Sequence, residues 1–136
     1  MSTNHSTIRQ RVCFIDCMDE AGLGFAVKTD LEFFGRDGLL RRPAATKQLC
    51  LLALEGPDDL VLGSEPVYAP GADRAVGYVT SAAYSYTLGL SLAYAWLPVE
   101  LAAPGSVVEV GWFGRRYRAA VTAEPAFDPE MKKIRC

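Results

Sequence analysis

The sequence predicts a mainly β fold: a small six- to seven-stranded antiparallel barrel preceded by a short strand and a helix. Three observations carry that expectation. Short apolar runs recur from Leu49 onward, each closed by Gly or Pro. Their spacing of about 8–15 residues is that of a small barrel or sandwich. After Pro43 no apolar pattern keeps a helical period.

The elements follow in order. Residues 1–12 are polar and read as a frayed end, the chain turns apolar from Cys13, and the tail is taken to residue 18. Gly22-Leu23-Gly24-Phe25-Ala26-Val27 reads as a short strand after a glycine turn. Phe33 to Leu40 reads as a helix with Asp30 as its cap and Pro43 beyond its end. Leu49–Leu54 is a continuous apolar run of strand length, followed by Gly56-Pro57. Val67-Tyr68 is a short strand between Pro66 and Pro70-Gly71. Ala75–Thr80, Ser91–Leu97, Val107–Val110 and Arg116–Val121 complete the set. Val107–Trp112 and Arg115–Val121, joined at Phe113-Gly114, form the clearest hairpin. The stretch Gly77 to Gly89 reads as a long polar, aromatic loop, the kind of connection that carries function. Three parts result: the tail 1–18, a segment 19–46 with a short helix, and a barrel 47–136.

Composition narrows the function classes. The chain has 136 residues, half of them hydrophobic and 22% charged, which suits one folded domain. Fourteen basic and sixteen acidic residues give a formal charge of -2, a poor balance for holding a nucleic-acid backbone. The longest apolar tract, Leu88–Leu97, is half the roughly 20 residues a spanning helix needs, and Gly89 and Ser91 break it. The N-terminus lacks the apolar core of a secretory signal. The expectation is a cytoplasmic protein with no membrane or nucleic-acid partner.

Few side chains suggest chemistry. His5, in the tail, is the one histidine, so a Ser-His-Asp triad is excluded. Cys13, Cys17, Cys50 and Cys136 do not have zinc-site spacing, and no metal is expected. Cys50 reads as a small buried hydrophobe. Glu55, Asp58, Asp59 and Glu65 read as a solvated acidic loop. Arg115, Arg116 and Arg118 read as a solvated strand face, and Lys132, Lys133 and Arg135 as a solvated tail. Tyr84 and Tyr86 offer amphipathic surfaces suited to an interface or a ring-shaped ligand, with core tyrosines as the competing reading.

Several motifs together match a known family. Gly77-Tyr78-Val79-Thr80-Ser81 through Leu88-Gly89, then Ala93-Tyr94-Ala95, Pro104-Gly105 and Val108-Glu109-Val110, resemble the C-terminal barrel of the aminomethyltransferases. These are the T-proteins of the glycine cleavage system and their relatives in dimethylglycine and sarcosine oxidation, and the latter branch is the more similar. Upstream, Glu20-Ala21-Gly22-Leu23-Gly24-Phe25-Ala26-Val27-Lys28 and Phe33-Phe34-Gly35-Arg36-Asp37-Gly38-Leu39 resemble the end of that family's folate-binding domain. Phe127-Asp128-Pro129 resembles the family's closing Y-D-P. Two positions depart: Tyr86 stands where the family has proline, and Leu90 where it has lysine.

The resemblance covers about residues 19–136 and corresponds to the last third of such an enzyme. It implies a small subunit of a split tetrahydrofolate-dependent methyl- or aminomethyltransferase or demethylase. The larger folate-binding chain would carry the catalytic base, and this chain would close the folate site. Arg135 resembles the terminal arginine that reaches the folate site in some members, where its guanidinium is suited to pair with pterin or carboxylate. Tyr84 and Glu20 are the other polar residues taken as candidates for contact with tetrahydrofolate. No catalytic residue is assigned. The alternative is a stand-alone, dimeric barrel that handles a different small molecule near Tyr84, Tyr86 and Trp96 without folate. A third is a non-catalytic scaffold.

Overall fold

A computed structural model describes residues 17–56 and 59–133. Its centre is a closed barrel of six antiparallel strands: β1 (Lys47–Leu54), β2 (Pro66–Tyr68), β3 (Ala75–Ser85), β4 (Leu90–Pro98), β5 (Val107–Trp112) and β6 (Arg115–Thr122). The order around the ring is β1-β4-β3-β2-β5-β6. Leu51 opposite Thr122 and Leu54 opposite Ala119 close it by pairing β1 with β6. Closure leaves no unpaired sheet edge.

Alternation along each strand sends one set of side chains inward. Cys50, Leu52 and Leu54 of β1 meet Ala93, Ala95 and Leu97 of β4, Val108 and Val110 of β5, and Ala119 and Val121 of β6. Leu52 is 0% exposed. A six-stranded barrel has a narrow interior, which is why three alanines line β4 and β6 where larger residues would collide. Gly77 has the same cause. A Cβ there would lie 2.0 Å from the Trp96 carbonyl oxygen, because β3 and β4 approach closely where Tyr78 faces Trp96.

The hairpin between β5 and β6 forms as the sequence predicts, with Trp112 opposite Arg115. Its two loop residues both have positive φ, 43° at Phe113 and 77° at Gly114, the handedness that matches the twist of the flanking strands.

Four expectations are corrected. The Gly77–Gly89 stretch is not a long loop: β3 continues to Ser85, pairing Ala82 with Ala93 and Ser85 with Leu90. The turn itself is only residues 86–89. A bulge between Val79 and Ser81 shifts the inward face by one residue, which hides the period-2 pattern from a linear reading. Gly22–Val27 is not a strand. It is a 3-10 turn at Gly24–Ala26, held by Leu23, Ala26 and Val27 amides bonding to carbonyls of Met18, Leu23 and Gly24. Those local bonds leave no ladder to pair. The helix is shorter than expected: α1 is Arg36–Leu40, with Gly35 at φ 90° in the cap position rather than Asp30. Glu65 does not lie in a solvated loop. It is 6% exposed, and its carboxylate accepts hydrogen bonds from the Leu62 amide at 2.9 Å and the Gly63 amide at 2.8 Å. Asp58 lies outside the described residues.

No helix among the described residues is long and apolar enough to cross a membrane.

Candidate functional site

The site is built where the chain leaves β6. Along β1 and β4, Leu51 faces Tyr94 and Ala53 faces Leu92. Along β3 and β4, Ser81 faces Tyr94 and Ala83 faces Leu92. These residues alternate with the inward set, so they point out of the barrel. They make an apolar floor on its outer wall.

The segment after β6 arches over that floor. Two bonds on β1 explain why it peels away. The last ladder pair with β6 is Leu51 with Thr122, and the next outward amide, Leu49, bonds instead to the Glu20 carbonyl at 2.7 Å. The upstream segment thus takes the edge of β1 that residues 123–127 would have continued along. Glu124, Pro125, Ala126 and Phe127 become a wall, and a cavity of about 370 Å³ lies between wall and floor, with Tyr84, Ser85 and Leu88 at one end. Asp128 fixes the far side of the wall, its carboxylate accepting the amides of Lys132 and Lys133 at 2.9 Å each.

The polar equipment of this cavity is small. The Tyr94 hydroxyl donates to Glu124 Oε1. Ser81 and Ser85 stand in the lining, and Ser85 Oγ accepts the Leu88 amide at 3.3 Å. The Lys133 ammonium lies 4.7 Å from the Phe127 ring centroid. Behind the wall, burial and then the Glu124 charge push the Cys50 thiol up to about 11. It is therefore a protonated hydrophobe at neutral pH rather than a nucleophile.

The residues singled out from the sequence separate in space. Tyr84 lines the cavity and is 40% exposed. Tyr86 stands beside it, ring centroids 5.1 Å apart in an edge-to-face arrangement, and is 91% exposed. Trp96 is not with them: it is buried against the upstream end of β1, with the Lys47 ammonium 4.4 Å from its ring. Glu20 lines a different hollow of about 140 Å³ with Leu39, Arg42 and Pro43. It is buried, and its Oε2 accepts the Cys17 amide at 2.8 Å, so its carboxylate holds the upstream segment together. Arg135 lies outside the described residues. Glu124, Tyr94 and Phe127 were missed as site residues. Their signal is faint: an acid beside Pro125 just after a strand, and an aromatic in the Phe127-Asp128-Pro129 ending.

The basic strand face is exposed, and two of its arginines also contact the chain's own groups. Arg116 stacks 3.3 Å from the Tyr68 ring, lies 3.6 Å from Glu109 and donates to the Ala72 carbonyl at 3.3 Å. Arg118 reaches Glu55 at 3.7 Å.

The second candidate surface is the upstream segment. Met18, Leu23, Phe25, Leu31, Phe33, Phe34 and Leu40 are all exposed, Phe25 at 87% and Phe34 completely. Neither α1 nor the 3-10 turn buries a residue. Exposed apolar patches of this kind are a common signature of interaction surfaces.

Comparison with known proteins gives the family. The model for the glycine cleavage T-protein C-terminal barrel domain matches residues 47–128. Human mitochondrial dimethylglycine dehydrogenase is 36% identical over 110 residues, covering 78% of this chain and 12% of that one. The aminomethyltransferase of Symbiobacterium thermophilum is 38% identical over 110 residues, covering 79% of this chain and 29% of that one. The chain thus spans less than a third of the length of these relatives. The crystal structure of the glycine cleavage system aminomethyltransferase T from Bartonella henselae superposes with a TM-score of 0.70 at 18% identity, over 88% of this chain and 37% of that one. With the matched segment coinciding with the closed barrel and its C-terminal wall, the chain belongs to the glycine cleavage T-protein C-terminal barrel family.

Proposed function

We propose that this chain is the barrel subunit of a divided tetrahydrofolate-dependent methyl- or aminomethyltransferase, or demethylase, working in the cytoplasm. A partner chain carries the catalytic base and most of the folate site. Residues 19–46 complete the partner's folate-binding body, and the barrel that begins at Lys47 closes the site.

The observation that carries this reading is the upstream segment. Its phenylalanines are exposed, yet matches to relatives extend over 110 to 125 residues, against a barrel match confined to 47–128. The relatives therefore share sequence beyond the barrel itself, in chains of which this one spans 12% to 31%. The occupant proposed for the exposed face is a folded body equivalent to that remainder. Burying a phenylalanine contributes about 1.5–3 kcal/mol, so Phe25 and Phe34 together would supply about 3–6 kcal/mol of the gross association energy.

The roles of this chain's residues follow from their places. Glu20 ties the docking segment to β1 through the Leu49 amide. Tyr84 and Arg135 are the side chains proposed to reach the folate, which when bound accepts the one-carbon unit. Closure by the barrel excludes water from the transfer, and this strengthens every polar contact inside the site.

The test is co-purification with the product of an adjacent gene encoding the upstream domains, followed by tetrahydrofolate titration. The complex is expected to bind folate where neither chain does alone. A lone chain that is a stable dimer and turns over substrate contradicts the proposal.

A second reading has one observation in its favour, the cavity beside Tyr84. In it the barrel acts alone, as a dimer, and holds a small molecule other than folate between its outer wall and residues 124–127.

A further inference from the structure

We infer that the cavity under residues 124–127 is a binding site for a small cationic amine with a compact apolar body. The inference rests on the cavity of the second reading above and is independent of folate.

Three features set the ligand's chemistry. The first is volume: about 370 Å³ is at the small end of ligand sites and admits one ring with a short chain. The second is the surface. The floor is Leu51, Leu92 and Ala83, and the wall is Pro125 and Phe127, so the body of the ligand must be apolar. The third is the charge. Glu124 receives one hydrogen bond, at Oε1 from Tyr94, and makes no ion pair with another described residue. Tyr94 fixes the carboxylate over the cavity and leaves Oε2 to accept from an incoming donor.

An ammonium is the donor that fits best. A charge-assisted hydrogen bond is roughly twice as strong as a neutral one, so an amine is favoured over an alcohol of the same shape. A carboxylate or phosphate ligand would face Glu124 directly and be repelled. Among the aromatic lining residues, the Tyr84 ring offers its face to a cation, while the Phe127 ring already carries Lys133 and serves as apolar wall. Ser81 and Ser85 add only neutral groups.

The test uses the full chain and three probes that share one body and differ in the head: 2-phenylethylamine, 2-phenylethanol and phenylacetate. Binding is read from methyl NMR shifts of Leu51, Ala83 and Leu92. The amine is expected to bind about fivefold more tightly than the alcohol, the size of a charge-assisted contact at a partly open site, and phenylacetate more weakly than both. In Glu124→Gln, an exposed and nearly isosteric change, the amine's preference should shrink to less than twofold while the alcohol's affinity stays the same. Phe127→Ala should weaken all three probes together. Equal binding of amine and alcohol by the native chain overturns the inference and leaves the cavity reading intact. So does a preference that survives Glu124→Gln. Absence of methyl shifts with every probe overturns both. None of these results touches the folate proposal, whose readout is the two-chain complex.

Discussion

The barrel and the segment that precedes it treat their apolar residues in opposite ways. In the barrel, Leu52, Val67, Val79, Ala95, Val108 and Val110 are completely buried, and every strand is paired on both sides. In residues 17–46 the large apolar side chains are turned outward, and α1 buries none. Both regions are apolar in sequence, so hydrophobicity does not separate them. What separates them is whether the chain itself supplies the opposing surface. Six strands close on themselves and supply it. A five-residue helix and a 3-10 turn cannot, because each has one face and no second layer. Stability therefore resides in the barrel, and the upstream segment leaves its apolar surface uncovered, the surface assigned above to the proposed partner.

The largest effect should come from attacking closure. Gly77→Ala places a methyl group against the Trp96 carbonyl and should destabilise the chain by about 3 kcal/mol or more, read as a lower denaturation midpoint. The matching change upstream is Gly38→Ala. It meets nothing within 4 Å and should leave that midpoint within about 0.5 kcal/mol of native. If the two behave alike, the contrast between the regions is false.

The pH dependence of the barrel is next in size. Cys50 is neutral in the fold up to about 11 against 9.0 in the unfolded chain. A raised value means that the unfolded state loses its proton first. The stabilisation is full below pH 9 and is lost as pH rises from 9 to 11, on the order of 2 kcal/mol in all. Urea unfolding across that window, compared with Cys50→Ala, measures it. A native chain and a Cys50→Ala chain with parallel pH curves would show that the burial is incomplete.

Phe25→Ser and Phe34→Ser sharpen the comparison from the other side. Each should change the unfolding midpoint by less than about 0.5 kcal/mol, because neither side chain is covered. Each should weaken the complex with the partner chain by about tenfold or more. Loss of fold without loss of association would reverse the assignment of the two regions.

The barrel was largely legible in the sequence. Apolar runs bounded by Gly and Pro located all six strands, and Phe113-Gly114 located the hairpin loop within the pair later seen at Trp112 and Arg115. The errors have physical causes. The bulge at Val79–Ser81 shifts alternation by one, so a strand carrying Thr80, Ser81, Tyr84 and Ser85 looked like a loop. Gly22 to Val27 has strand-like residues, yet strand formation needs a partner edge, and local turn bonds took its amides. The candidate site was legible only at Tyr84. Glu20 stands apart from this cavity, and its carboxylate accepts the Cys17 amide, a bond between near neighbours that spacing does not reveal. Glu124 and Tyr94 are 30 residues apart, and only the register of β1, β4 and β6 brings them together.

Hydrogen exchange measured on the chain alone and again with the folate-domain partner addresses the docking claim most directly. Amides of residues 18–40 should exchange fast in the lone chain and become protected in the complex, while those of Val79 and Val110 stay protected in both. Strong protection of residues 18–40 in the lone monomer, with no gain on adding the partner, would contradict the account.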